Sequence, residues 1–559
     1  MDEKAATEKI FYRHFSSWYG LLFVFVVSFL YYLTAISAIV GPYDEGIPVY
    51  GAERILNGDV PYRDFWTIYA PGQFYAVAGW FKLLGSSVLA ERLYDTLIRA
   101  LVSTSVFLIA LRLAPIGWGL VAWLVVAVWL KYLGYYAYPN FPALLFALAS
   151  LYLLLGFFHT NRPKMRLFFA GALAGLAGLF RQDTGFYLLL SELLVVFPFA
   201  FFHLIPQNGG ERRPKRFAQL VPFALAYFFG VALPVLPAGI YFLSVVPAKE
   251  LVYDLIVFPL KIFPAVRDIP FPSPLPDISA LTRGEVTFFA YLVRLSERWI
   301  FYFSLLALGA VFAFFAFGKH RPPRSGKESR PAPIWSWQVG LFLVFGLLSL
   351  NNARVRSDLA HILPSFVSAA LLSAALGLKL FTAAKVQKGF FLGASVLTAG
   401  LLLVYPFYLW QLPEMEEKYR PLMLTHNLER ARGVGVNPDK AAAINYLWRV
   451  CFPWERIFVG NNRHDLIYVN DIMFYFLSGL PSATKYHELF PGSATSLAVQ
   501  SEVVEELKRN NVRHIVLVSG FRGPGVTNEP VPVRFLDEFI ARNYQQVKKF
   551  GDWSVWERK

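Results

Sequence analysis

The chain is poor in cysteine, in charge and in repeats, and each shortage removes a class of protein. Of its 559 residues only Cys451 is a cysteine, so an internal disulfide and a cysteine-rich metal cluster are both excluded, and the redox compartment leaves no mark. Asp, Glu, Lys and Arg together make up 16%, against about a quarter in soluble globular domains. Hydrophobic residues make up 56% and the mean hydropathy is +0.44, so lipid is the expected solvent for most of the chain. No internal repeat occurs, and the one low-complexity tract is the Pro-rich FPSPLPD at 271–277, which excludes solenoids and propellers. A Walker-type glycine loop, a His-x-x-x-His pair, a G-x-S-x-G elbow and a dinucleotide fingerprint are all missing. Nucleotide hydrolysis, zinc hydrolysis and redox chemistry therefore lack support.

What is present is a series of apolar runs, near 18–40, 94–113, 116–136, 141–159, 166–181, 185–205, 218–246, 298–318, 334–350, 362–381 and 389–411. Each is long enough to span a bilayer. The first exceeds a signal-peptide core and lacks a small-residue cleavage site, so a retained anchor is expected. The net charge of +15 sits mostly in short clusters between runs: TNRPKMR (160–166), GGERRPKR (209–216), GKHRPPRSGKESR (318–330) and KVQKG (385–389). With eleven spans, all four fall on the side of the N-terminus, the cytoplasmic side by the positive-inside rule. This placement explains the charge without nucleic acid, which is rejected as a partner. The opposite face then holds the loop 41–93, YAYPN (136–140), RQDTG (181–185), the loop 247–297 and NNARVRSDLAH (351–361).

The expected fold class is a polytopic α-helical membrane protein of about eleven transmembrane helices. Residues 1–411 form the membrane domain and 412–559 a small soluble α/β domain on the outer side. In the latter, RIFVG and HIVLVS read as buried strands, SEVVEELKRNN and VRFLDEFIARNY as amphipathic helices.

Candidate chemistry gathers on the outer face. Asp44 and Glu45 follow the first run directly. An Asp at a membrane-helix centre costs roughly 2.5–3.5 kcal/mol, falling toward the interface, so the pair needs hydration, partners or a use. Two readings stand: Asp44 caps the helix GIPVYGAERILNG, or the pair is catalytic. YGAERILNGD and SSVLAERLYDTLIRAL alternate apolar and charged faces, as interfacial helices do, and such helices can roof a cavity. Between them lies WTIYAPGQFY, whose Trp66, Tyr69, Phe74 and Tyr75 read as headgroup-level anchors; Gln73 and Tyr75 are candidate cavity-lining residues. In NNARVRSDLAHILP, helical spacing puts Arg354, Asp358 and His361 on one face, with Arg356 diverging. The arginines suit a lipid phosphate, or else Arg354 pairs with Asp358. Arg181 and Asp183 interrupt an apolar stretch, lining the same cavity or forming a local ion pair. Lys261 and Arg267 are further phosphate candidates, on an amphipathic run whose Phe258, Phe263 and Pro264 are expected against acyl chains. His464 with Asp465 and His487 with Glu488 read as ordinary surface pairs rather than metal ligands.

DEG after the first span, APGQFY in the outer loop, YPNFPALLFALASLYLLL and RSDLAHILP together resemble the GT-C superfamily of polytopic glycosyltransferases. The nearest kin are bacterial relatives of dolichyl-phosphate-mannose-protein mannosyltransferases, and the similarity covers about 40–410. The resemblance implies transfer of a hexosyl or pentosyl group from a polyprenyl-phosphate-linked donor, at the outer face, to a lipid, glycan or protein acceptor. It places the general base at Asp44 and has Glu45 orient Asp44 or the acceptor. No cofactor is required, although Asp44 and Glu45 are where a divalent cation such as Mg or Mn would be held. The implied setting is a bacterial inner membrane, with a cytoplasmic N-terminus and a periplasmic or extracellular C-terminal domain. The alternatives are a transporter or flippase of lipid-linked saccharides, which would need charges near mid-membrane, and an assembly scaffold working through 412–559.

Overall fold

Residues 18–36, 39–132, 136–160, 162–205, 217–266, 269–317, 333–383, 397–407, 426–490, 492–519 and 530–559 are described by a computed structural model. Arg267 and the basic segments 209–216, 318–330 and 385–389 lie outside these residues.

Every expected apolar run contains a helix, because a chain in lipid must satisfy its backbone polar groups within the segment. In chain order these are α1 (Trp18–Leu33), then α2 (Gly46–Leu56) and α3 (Gly72–Leu84) in the first loop. The series continues with α4 (Val88–Leu113), α5 (Ile116–Tyr132), α6 (Asn140–Phe157), α7 (Pro163–Phe180), α8 (Gln182–Phe199) and α9 (Val221–Val245). It ends with α10 (Phe288–Phe317), α11 (Ile334–Val355), α12 (Leu359–Ala383) and α13 (Leu397–Phe407). Among the described residues, seven are long and apolar enough to cross a membrane: α4, α6, α8 with its π-helical extension to Leu204, α9, α10, α11 and α12. The protein is an integral membrane protein. The apolar helices α1, α5 and α13 are shorter.

The helix α7 packs against α9 at glycines. A Cβ on Gly230 would collide with the carbonyl oxygen of Phe168, and one on Gly171 with that of Tyr227. Small residues thus let the two backbones touch, the usual device for helix association in lipid. Gly230→Ala is expected to force the pair apart at a cost of about 1–3 kcal/mol. A lower melting temperature in detergent is the readout.

Beyond the spans, helices α14 (Pro438–Val450), α15 (Ile472–Ser478), α16 (Leu497–Arg509) and α17 (Phe535–Asn543) accompany a four-stranded sheet. Its strands are β1 (Phe458–Asn461), β2 (His514–Val518), β3 (Tyr544–Phe550) and β4 (Trp553–Arg558), in the order β1-β2-β4-β3. The β1–β2 pair is parallel and the others antiparallel. Asn437 caps α14 by accepting from Asp439 N at 2.9 Å, and Ser496 caps α16.

Packing crosses the expected limit at 411. One apolar core unites the spans, while a second joins α2, α3 and the first turns of α4 to the C-terminal strands and helices. Met473 N donates to Pro42 O at 3.0 Å and Trp66 N to Lys485 O at 3.0 Å. Tyr50 stacks on Tyr475 at 5.0 Å, and Phe81 on Phe476 at 5.8 Å. The loop helices expected to lie against lipid headgroups are thus clasped by the C-terminal unit. Trp66 (3% exposed) and Phe74 (2%) are core residues rather than belt anchors. Phe258, expected against acyl chains, is likewise buried, against Trp66 and Phe490.

The start of α4 departs from expectation in the same way. Glu91, Arg92, Asp95 and Arg99 are buried in protein rather than spread along an interface. Arg92 Nε pairs with Glu45 at 2.7 Å and Arg99 Nε with Asp95 at 2.7 Å. Arg99 also lies over the Phe141 ring, 4.0 Å from its centroid. Because these charges compensate one another, α4 runs unbroken for 26 residues.

Candidate active site

The five segments expected on one face do meet at one end of the bundle. Gln182 Nε2 donates to Ile68 O at 3.1 Å and to Leu255 O at 3.4 Å. Asn140 Nδ2 donates to Ala360 O at 2.7 Å, and Ser357 N to Ile269 O at 3.0 Å. These ties frame a cleft of about 300 Å³, the open space at its mouth included, lined by Asp44, Tyr69, Gln73, Phe74, Tyr136 and Tyr138, with Ile47, Pro48 and Pro139. Asp44 is exposed and supplies the one acidic side chain of that lining. The N-cap position of α2 belongs to Glu45, whose side chain makes no cap hydrogen bond.

The cleft wall is held from behind. Gln73 Nε2 donates to Ala137 O at 2.6 Å, and the carboxylate of Glu91 accepts from Ala137 N. With the N–H and C=O of Ala137, and so the peptide groups on either side of it, fixed, Tyr136 and Tyr138 are set on the wall. Arg181 Nη1 donates to the Tyr138 hydroxyl at 2.9 Å, while Arg181 Nε pairs with Asp183 at 2.8 Å. Burial pushes the phenols of Tyr69, Tyr136 and Tyr138 up, and the nearby charge of Asp44 adds to this at Tyr69 and Tyr136. Asp358 acts on Tyr136 and Tyr138 in the same sense. Tyr136 therefore sits within the fields of both carboxylates.

The second limb is built where α11 stops. Arg356 is extended (φ −145, ψ 104) and forms a bridge with Ile269 before α12 begins at Leu359. Asp358 Oδ1 accepts from His361 N at 3.0 Å and from the imidazole Nδ1 at 2.6 Å. Its Oδ2 accepts from Arg356 Nε at 2.6 Å. Burial opposes ionisation of this carboxyl, but His361 and Arg356 outweigh it and hold the pKa well below the ordinary value. Arg181, also buried, has its guanidinium pKa raised because Asp183 and Tyr138 outweigh desolvation. An anion entering here would meet Arg356, His361 and Arg181 on elements already fixed in place.

No protein-family model and no curated protein matches the chain. Among solved structures, it is similar to ArnT from Cupriavidus metallidurans bound to undecaprenyl phosphate, over 97% of this chain and 98% of that one. The TM-score is 0.52 at 13% identity. It is also similar to the oligosaccharyltransferase AglB from Archaeoglobus fulgidus, in complex with an inhibitory peptide and a dolichol-phosphate. There the match covers 90% of this chain and 70% of that one, with a TM-score of 0.50 at 13% identity. Both are GT-C glycosyltransferases. This chain has the GT-C fold.

On that GT-C frame the expected site residues divide. Asp44 and Gln73 line the cleft, Arg181 holds its Tyr138 with Asp183 behind, and Arg356, Asp358 and His361 form the second limb. Glu45 does not line the cleft: it is 3% exposed, its Oε1 accepts from Arg92 Nε at 2.7 Å and its Oε2 from Gly41 N at 2.6 Å. Asp44 and Glu45 consequently offer no joint oxygen site for a cation. Arg354 is exposed on the last turn of α11 and donates to Asn351 Oδ1 at 2.9 Å, so the expected Arg354–Asp358–His361 face is not formed. The chain leaves the helix between them, where Asp358 Oδ1 accepts from the backbone N–H of His361 in the manner of an N-cap, a competitor to helix continuation. Tyr75 packs beside Phe242 rather than lining the cleft, and Lys261 is exposed on a π-helical turn, Tyr253–Ile262. His464 is bound by Asp537 at 2.7 Å and His487 by Arg54 at 3.2 Å, so both histidines serve the fold. Two residues escaped sequence reasoning, Tyr136 and Tyr138, although the alternating tyrosines of YAYPN were a visible signal. Glu488, expected at the surface beside His487, is buried and accepts from Tyr43 OH at 3.2 Å from 445 positions away.

Proposed function

We propose that this protein transfers a sugar from a polyprenyl-phosphate-linked donor to an acceptor hydroxyl at the outer face of the membrane, with inversion at the anomeric carbon. The observation that carries the proposal is the placement of Asp44: a solvent-reached carboxylate in a tyrosine-walled cleft whose Tyr138 is held by Arg181. Asp44 takes the proton of the acceptor hydroxyl as its oxygen attacks the anomeric carbon, and the bond to the phosphate oxygen breaks. The lipid phosphate leaves as an anion, stabilised by Arg356 and Arg181 with His361 beside them. A phosphate departs without protonation, so one carboxylate suffices where a glycoside hydrolase needs two. The tyrosine faces provide stacking surface for a sugar ring. Arg354, Lys261 and Arg267 are assigned to the lipid headgroup at the membrane surface.

The undecaprenyl phosphate bound to the similar ArnT supports the donor class. The charge bias of the sequence supports an outer cleft and an outer C-terminal unit, and the acceptor is a lipid, a glycan or a protein side chain. Mass spectrometry of lipids that co-purify with wild type and with Asp44→Asn tests the reading. A glycosylated polyprenyl phosphate enriched on the variant is the expected result. A pyrophosphate-linked oligosaccharide lipid, or an unglycosylated one, held equally by both proteins would favour transport instead.

A further inference from the structure

The C-terminal unit contains a second cluster with chemistry of its own, which shares no residue with the Asp44 cleft. Among the described residues, Cys451, Glu455 and His514 bring a sulfur, an oxygen and a nitrogen to within 4.8 Å of one another. Cys451 ends α14, Glu455 follows four residues later, and His514 opens β2. A turn closed by Glu455 N donating to Phe452 O at 2.9 Å points both loop side chains at the histidine. One atom of His514 faces both partners: Nδ1 lies 3.2 Å from Cys451 Sγ and 2.7 Å from Glu455 Oε1.

Nδ1 carries either one N–H or one lone pair, so it can bond fully to only one of the two groups it faces at a time. A cation with vacant positions can bind all three. The other ring nitrogen, Nε2, lies 3.9 Å from Glu557 Oε1, and Glu557 is itself held by Arg513 at 2.8 Å. At that distance Glu557 acts on the ring through its charge rather than through a hydrogen bond. The ligand types are a thiolate, an imidazole and a carboxylate, which suit a borderline-soft ion and argue against magnesium or calcium. Around zinc, ligand atoms at about 2.0–2.3 Å from the metal stand about 3.4 Å apart in a tetrahedron. The present separations of 2.7 and 3.2 Å need to open by less than an ångström. His514 is 2% exposed and Glu455 17%, so the site is backed by protein and reached from the loop side.

We propose that Cys451, Glu455 and His514 form a zinc site with one position left for water, tying the α14–β1 loop to the start of β2. The ion releases the thiol proton on binding and forms three bonds to protein. Full-length protein in detergent, dialysed against zinc-free buffer and titrated with Zn²⁺ alone, tests this. One zinc per chain is expected by elemental analysis. Cys451→Ala should fall to the buffer blank. Cobalt in place of zinc should give a thiolate-to-metal charge-transfer band in wild type that Cys451→Ser lacks. Chelation should lower the melting temperature of wild type but leave that of Cys451→Ala unmoved. Wild type without stoichiometric zinc, or Cys451→Ala retaining it at unchanged affinity, would overturn the site.

Discussion

Asp44→Asn is expected to lower the rate of sugar transfer by about 10²–10⁴-fold, the range contributed by a positioned general base. The amide keeps the size and the acceptor oxygen of the side chain but cannot take a proton, so the loss should appear in the chemical step. Asp44 is exposed on the cleft lining, so exchanging its carboxylate for an amide of the same size takes little packing from the fold. The melting temperature should therefore stay within a degree or two of wild type. Retention of the donor lipid should also persist, because the cations assigned to the phosphate are Arg356, Arg181 and their neighbours. Single-turnover transfer with donor-loaded protein separates these quantities. A variant with full transfer activity would remove Asp44 as the base, whatever its position.

The spans were legible because their signal is local. An apolar run of about twenty residues leaves a helix no alternative in lipid, and each of the eleven runs holds one. RIFVG and HIVLVS became β1 and β2, and the two amphipathic stretches became α16 and α17, for the same local reason. Parity then assigned five segments to one face, and the hydrogen bonds from Gln182, Asn140 and Ser357 show them meeting there. What periodicity missed was contact over distance. The charged turns of α2 and α4 look identical whether lipid headgroups or protein cover them, so the C-terminal clasp could not be read from either. The run 351–361 follows a helical period, yet Asp358 starts a new helix by binding the backbone N–H of His361, and the arginine expected to diverge is the one that reaches the carboxylate. Adjacent carboxylates likewise look equivalent in sequence; only the fold turns Asp44 outward and Glu45 toward Arg92, 47 positions on.

That division makes a second large effect testable. Arg92→Met is expected to destabilise the protein by about 3–5 kcal/mol, the cost of breaking a buried ion pair from one side. The side chain is 1% exposed, and it donates to both oxygens of Glu45, at 2.7 and 3.1 Å, and to Ile39 O at 2.7 Å. Its loss leaves Glu45, Glu91 and Asp95 buried together with Arg99 as their remaining cation among the charged residues at the start of α4. Glu45→Gln should cost less, because Glu91 and Asp95 still compensate Arg92 and the amide oxygen still accepts from it. Thermal unfolding should thus rank the proteins wild type, Glu45→Gln, Arg92→Met, from most to least stable. Below its unfolding range Glu45→Gln should transfer sugar within a few-fold of wild type, in contrast to Asp44→Asn. If Glu45→Gln instead lost transfer as completely as Asp44→Asn, with its melting temperature unchanged, Glu45 would belong to the reaction centre and the ion pair with Arg92 would have to open during turnover.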